Sequence, residues 1–153
     1  MSIEAIFAEM ERIAPHIPSV LLTGGEPLAA ARLPILIDEL KKAGKWLAME
    51  SSGVGGKIPP GLDWLTISPK KKLPKEIMAW ADELKFIVGP TPSAAQQQEI
   101  NYWAANHPNV WLQPCADGSR PDPESNARCL QLVLASKGRL RLSTQVHKYL
   151  EIP

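Results

Sequence analysis

Short apolar runs alternate with segments of helical spacing along almost the whole 153-residue chain. No other feature limits the fold as much, because strands and helices that alternate build a parallel sheet covered by helices. Ile3, Ile6, Phe7, Met10 and Ile13 recur at helical spacing, and Pro15 and Pro18 close that segment. Ser19 to Thr23 is an apolar run ended by Gly24-Gly25. Leu28 to Ala43 reads as a helix with Leu33, Leu36, Ile37 and Leu40 on one face. Pro34 marks where its regular part begins, and Gly44 is placed to cap its end. Strands over 46–51, 62–68, 84–88, 110–113 and 140–143 alternate with helices over 75–81, 93–106 and 123–136. Val20-Leu21-Leu22 and Phe86-Ile87-Val88 are continuously apolar, as strands buried on both faces must be. The expectation is one α/β domain over residues 1–153, mostly parallel strands with helices outside.

Composition removes several function classes. Hydrophobic residues make up 44% and charged residues 22%, and the formal net charge is +1, so no global field favours nucleic acid or an anionic membrane. No apolar run approaches the ~20 residues of a membrane span. The start, Met1-Ser2-Ile3-Glu4-Ala5-Ile6, is acidic and amphipathic, unlike a signal peptide, so the chain reads as cytoplasmic. Cys115 and Cys129 share no C-x-x-C spacing; one disulfide is possible on arithmetic, and two ordinary packing or surface thiols are the plainer reading. Trp46, Trp64, Trp80, Trp103 and Trp111 fall where core packing accounts for them, and His16 and His107 read as surface caps at helix ends.

The strands end in Thr-Gly-Gly-Glu-Pro, Glu-Ser-Ser-Gly, Ser-Pro-Lys, Val-Gly-Pro and Gln-Pro-Cys-Ala-Asp-Gly. Parallel α/β folds bind ligands at the carboxyl ends of their strands, so the chemistry is expected there. Thr23-Gly24-Gly25-Glu26-Pro27 fits a tight strand-to-helix turn, with Pro27 at the first helical position. It equally fits a site where a ligand approaches the glycine backbone and Glu26 accepts from a ligand ammonium. Glu50-Ser51-Ser52-Gly53 reads as a strand end with a turn. Lys70, Lys71, Lys72 and Lys75 form a solvated loop in which Lys70, directly after the strand, is placed to meet a carboxylate.

Together these segments resemble those of radical S-adenosylmethionine (SAM) enzymes, and the end of the chain narrows the resemblance. Leu142-Ser143-Thr144-Gln145-Val146-His147-Lys148, running on to Pro153, is similar to the terminus of 7-carboxy-7-deazaguanine synthases, which read Leu-Ser-x-Gln-x-His-Lys and finish on Pro. The resemblance covers about residues 3 to 153 and implies a partial (β/α) barrel of the radical SAM type. It implies that Gly24, Gly25 and Glu26 bind the amino group of SAM, and that the hydroxyls of Ser51 and Ser52 line its pocket. Ser68, Pro69 and Lys70 match the family's Ser-Pro-Lys strand end, which contacts SAM. Gln113, Pro114, Cys115, Ala116 and Asp117 match a Leu-Gln-Pro-x-Asp-Gly segment that also reaches SAM, with one extra residue here before Asp117. Thr23, His147 and the terminal carboxylate of Pro153 are implied to face the substrate; a structural role for His147 stays open.

What the resemblance implies chemically is a SAM-dependent radical ring contraction. The substrate is 6-carboxy-5,6,7,8-tetrahydropterin, and loss of ammonia gives 7-carboxy-7-deazaguanine on the route to queuosine. The family uses a [4Fe-4S] cluster on Cys-x-x-x-Cys-x-x-Cys and a magnesium ion held beside that loop. Neither ligand set occurs in these 153 residues, so the chain is expected to be truncated at its N-terminus, with the first strand missing and no catalytic or metal-binding residue of its own. The strand leading to Thr23 is then expected at a sheet edge. Three readings follow: the SAM and substrate rim of the synthase, a cluster-less homologue that binds SAM or a pterin, or a chain whose bare edge recruits another. The family also implies a homodimer.

Overall fold

The computed structural model describes residues 2–117 and 120–150. Its strands are β1 (Ser19–Leu22), β2 (Trp46–Ser51), β3 (Trp64–Ile67), β4 (Glu83–Val88), β5 (Val110–Pro114), β6 (Ala116–Asp117), β7 (Arg120–Pro121) and β8 (Arg141–Leu142). The helices are α1 (Ile3–Ile13), α2 (Leu33–Lys42), α3 (Lys75–Trp80), α4 (Ala94–Asn106), α5 (Pro123–Ala135) and α6 (Val146–Tyr149), with a 3-10 turn at Pro27–Ala29. Six strands form one sheet in the order β1-β2-β3-β4-β5-β8, and β6 pairs antiparallel with β7. The expected α/β architecture is therefore present. The chain divides into two compact units, Met1–Leu65 and Thr66–Pro153.

In the first unit, β1 and β2 pair in parallel with Val20 opposite Leu47 and Leu22 opposite Met49. Leu47 and Met49 are fully buried and meet Leu33, Ile37 and Leu40, the i, i+4, i+7 face of α2. Pro34 sits in the first turn of α2, where its missing N–H costs nothing. At the other end Gly44 takes φ +73, and Lys45 donates back to the Leu40 carbonyl at 3.0 Å, a left-handed cap that needs glycine. Asp63 extends the β2 ladder: its N–H donates to the Leu47 carbonyl at 2.9 Å, and its carboxylate accepts from the Leu47 N–H at 2.7 Å. As expected, β1 ends the sheet, and Leu21 on it is 53% exposed. Ser2 caps α1 through its hydroxyl, yet α1 buries none of its residues.

In the second unit, Leu84, Phe86, Val88, Val110 and Leu112 are buried along β4 and β5, which pair in parallel with Leu84 opposite Val110. Ile100 and Trp103 of α4 and Cys129 of α5 complete this core. The caps are those the sequence chemistry favours: Ser93 accepts from Gln96 N–H at 3.1 Å, and Asp122 from Ser125 N–H at 2.9 Å before Pro123.

Two expectations need correction. Trp46 and Trp80 are 46% and 72% exposed rather than core residues. Trp46 starts β2 on the face opposite Leu47 and Met49, and Trp80 is the last residue of α3. His107 does end a helix, but it is half-buried and bridges segments. Its Nδ1 accepts from Asn109 N–H at 3.1 Å and its Nε2 lies 2.8 Å from the Ala81 carbonyl.

Candidate functional site

The turn after β1 is built around one carboxylate. Glu26 precedes the 3-10 turn, and its Oε1 accepts from Leu28 N–H at 3.2 Å and from the Ser51 hydroxyl at 2.6 Å. Its Oε2 accepts from Ser52 N–H at 2.9 Å and from the Ser52 hydroxyl. Ser51 Oγ also accepts from Gly53 N–H at 2.9 Å. Sequence-distant residues thus meet at one point, the carboxyl ends of β1 and β2. A carboxylate has about four lone-pair positions, and here four donors fill them. Burial by itself raises the Glu26 carboxyl, but the hydroxyls of Ser51 and Ser52 and the amides of Ser52 and Leu28 outweigh it and hold the group below its ordinary value of 4.5. Glu26 is a fixed anion.

Beside that anchor the backbone is bare. Thr23, Gly24 and Gly25 are exposed. Gly24 adopts φ +126, a conformation open to glycine. A Cβ built on either glycine would meet nothing within 4 Å. Gly24 is glycine for its backbone angle, whereas at Gly25 neither a positive φ nor a neighbouring atom requires it; a ligand lying against the backbone would.

The glycine-rich loop after β2 plays a different part. A Cβ on Gly56 would collide with the Leu28 carbonyl oxygen, and one on Gly55 would stand 3.3 Å from Ala29 and from Glu26 Cγ. These two glycines let the loop close against the Glu26 turn. The Gly-Val-Gly-Gly string at 53–56 marks a loop by its composition, but nothing in it names the partner.

In the second unit the remaining segments also end strands. Ser68 and Pro69 follow β3 half-buried, and Lys70 follows them exposed. Gln113 is half-buried and Pro114 buried at the end of β5; Cys115 comes next, exposed, its N–H donating to the Val88 carbonyl at 2.9 Å. Ala116 and Asp117 begin the β6–β7 hairpin. The side chains of Asp117 and His147 and all of Pro153 lie outside the described residues. The two cysteines are free, and burial pushes the Cys129 thiol up to about 11.

No family model matches the chain. Curated relatives do. The 7-carboxy-7-deazaguanine synthase of Nitratidesulfovibrio vulgaris is 36% identical over 142 residues, covering 89% of this chain and 60% of the relative. That of Haemophilus influenzae is 30% identical over 141 residues, covering 88% and 65%. That of Bacteroides thetaiotaomicron is 32% identical over 155 residues, covering 99% and 74%. Among solved structures, the crystal structure of QueE from Escherichia coli superimposes with a TM-score of 0.69 at 28% identity, covering 95% of this chain and 64% of that one. The chain thus spans less than two thirds of the length of the first two relatives.

Proposed function

The chain belongs to the 7-carboxy-7-deazaguanine synthase family, and from that premise we propose that it supplies SAM- and substrate-binding residues to the ring contraction of 6-carboxy-5,6,7,8-tetrahydropterin. The product is 7-carboxy-7-deazaguanine, for queuosine biosynthesis, and the enzyme is a lyase of the radical SAM type. The observation that carries this reading is the open pair Gly24-Gly25 beside the fixed carboxylate of Glu26.

Those residues fit SAM. The bare glycine backbone offers carbonyl groups to the ammonium of its methionine part, and the anion of Glu26 favours that positive charge nearby. Ser51 and Ser52 hold the anion in place. Held by these residues and reduced by one electron from an iron–sulfur cluster that the described residues do not hold, SAM would supply the 5′-deoxyadenosyl radical that takes hydrogen from the substrate, leaving methionine. By resemblance to the family's strand ends, Ser68-Pro69-Lys70 and Gln113-Pro114-Cys115-Ala116-Asp117 also belong to SAM, and Thr23, His147 and Pro153 to the pterin. The protein is read as a single-domain, cytoplasmic homodimer subunit.

An iron–sulfur cluster and a magnesium ion do not fit the described residues. Among these, no group of three or more His, Cys, Asp or Glu side chains is arranged to hold a metal, and the thiol of Cys129 is buried and protonated. No step is assigned to either metal on this chain.

Calorimetric titration of the purified chain with SAM, and separately with 6-carboxy-5,6,7,8-tetrahydropterin, tests the reading. Saturable binding of SAM, with the pterin binding more tightly in its presence, is expected. A chain that binds neither ligand contradicts the proposal.

A further inference from the structure

A second concave site lies wholly within the second unit, between the 69–75 loop and α4. It has a volume of about 540 Å³, inside the roughly 300–1,000 Å³ range of small-molecule clefts. Its apolar lining includes Leu73, Phe86 and Trp103, each buried. Lys71, Lys72 and Lys75 also line it, all exposed, and no salt bridge engages them among the described residues. The Lys75 ammonium lies 4.0 Å from the centroid of the Tyr102 ring, and Tyr102 itself is 41% exposed. The only acid lining the cleft among the described residues is Glu99.

We infer that this cleft binds a phosphate-bearing flat heterocycle, at a site separate from the Gly24-Gly25-Glu26 turn. Four lysines, Lys70, Lys71, Lys72 and Lys75, against one glutamate leave three positive charges, enough to hold a phosphate monoester of about −1.5 to −2 at neutral pH. The apolar lining and the exposed face of Tyr102 suit a planar ring, since aromatic and apolar surfaces stack on bases of any identity. Lys75 already stands over one aromatic ring, so it is held where an anion beside a stacked heterocycle would meet it. Pro69 and Lys70 of the strand end assigned to SAM line this cleft too, so competition with SAM is the test of whether the two sites are separate.

Adenosine 5′-monophosphate is the probe, titrated calorimetrically into the chain beside adenosine and inorganic phosphate. Saturable binding of the monophosphate below about 1 mM is expected, tighter than either half alone. The double change Lys71→Glu with Lys72→Glu should weaken it about tenfold or more, while Lys57→Glu, outside the cleft, leaves it nearly unchanged. Tyr102→Ala should weaken the monophosphate without altering phosphate binding, and thermal melts of each variant check that the fold persists. Four results overturn the inference: no saturable binding to about 1 mM, equal affinity for either half, equal loss in Lys57→Glu, or displacement of the monophosphate by SAM.

Discussion

The hydroxyl of Ser51 donates to Glu26 Oε1 at 2.6 Å, joining the end of β2 to the turn that follows β1. With Ser52 on the other oxygen, this contact makes the turn one rigid piece rather than a loop carrying a free acid. Replacing Glu26 by Gln puts an amide NH₂ against donors on one side. The change is expected to destabilise the chain by about 1–2 kcal/mol, measured as a lower urea midpoint, because donors in a partly buried cluster lose their acceptor.

Acid should unfold this protein from below the ordinary carboxylate range. Glu26 is held below 4.5 in the folded chain, so the unfolded state binds the proton first as pH falls. Its contribution is complete above about 4.5 and is lost as pH drops through the lowered folded value. Asp63, stabilised first by Lys41, and Asp122, stabilised first by Ser125, are lowered too and add slope of the same sign. Melting temperature against pH should therefore fall steeply on the acid side, and less steeply in Glu26→Gln. Equal slopes in the two proteins would remove Glu26 from the account.

Gly56→Ala tests how the glycine loop closes. The new methyl group meets the Leu28 carbonyl oxygen, which belongs to the backbone and can move aside only with the 3-10 turn. A loss of about 1–3 kcal/mol is expected in chemical denaturation. A stability equal to wild type would mean that the loop does not rest on Leu28.

The two thiols should separate cleanly by reactivity. Cys115 is exposed, whereas Cys129 is buried with its thiol pushed up to about 11, so an alkylating reagent reaches Cys115 and is kept from Cys129. Iodoacetamide followed by intact-mass spectrometry should add one label to the native chain and a second only in denaturant. Two labels on the native chain would contradict the burial of Cys129.

His107→Ala should cost about 1–2 kcal/mol, since the ring accepts from Asn109 N–H and lies within bonding distance of the Ala81 carbonyl. The thermal midpoint reads it, and a change within the spread of ordinary surface substitutions would return His107 to the role of an exposed cap.

The sheet was legible because each of its longer strands is a short apolar run ended by glycine or proline, as in Val20-Leu21-Leu22 before Gly24-Gly25. The β6–β7 hairpin and α6 were not legible, because strands of two residues and a helix of four carry no measurable period. Glu26 could be singled out by its place after two glycines. Its partners Ser51 and Ser52 are 25 and 26 positions away, and only the β1–β2 pairing brings them to it. Trp46 and Trp80 misled because apolar character permits burial without requiring it. The lysines at 70–72 and 75 read as a solvated loop, since the apolar surface behind them comes from α4 and β4, far along the chain.

The direct test of the account is SAM affinity in Gly25→Ala beside wild type. A Cβ at Gly25 meets no atom of the protein within 4 Å and Gly25 does not have positive φ, so the fold should keep its melting temperature. The same methyl group intrudes where SAM is proposed to lie, and affinity should fall about tenfold, or roughly 1.4 kcal/mol. Unchanged SAM affinity in a stably folded Gly25→Ala protein would contradict the account.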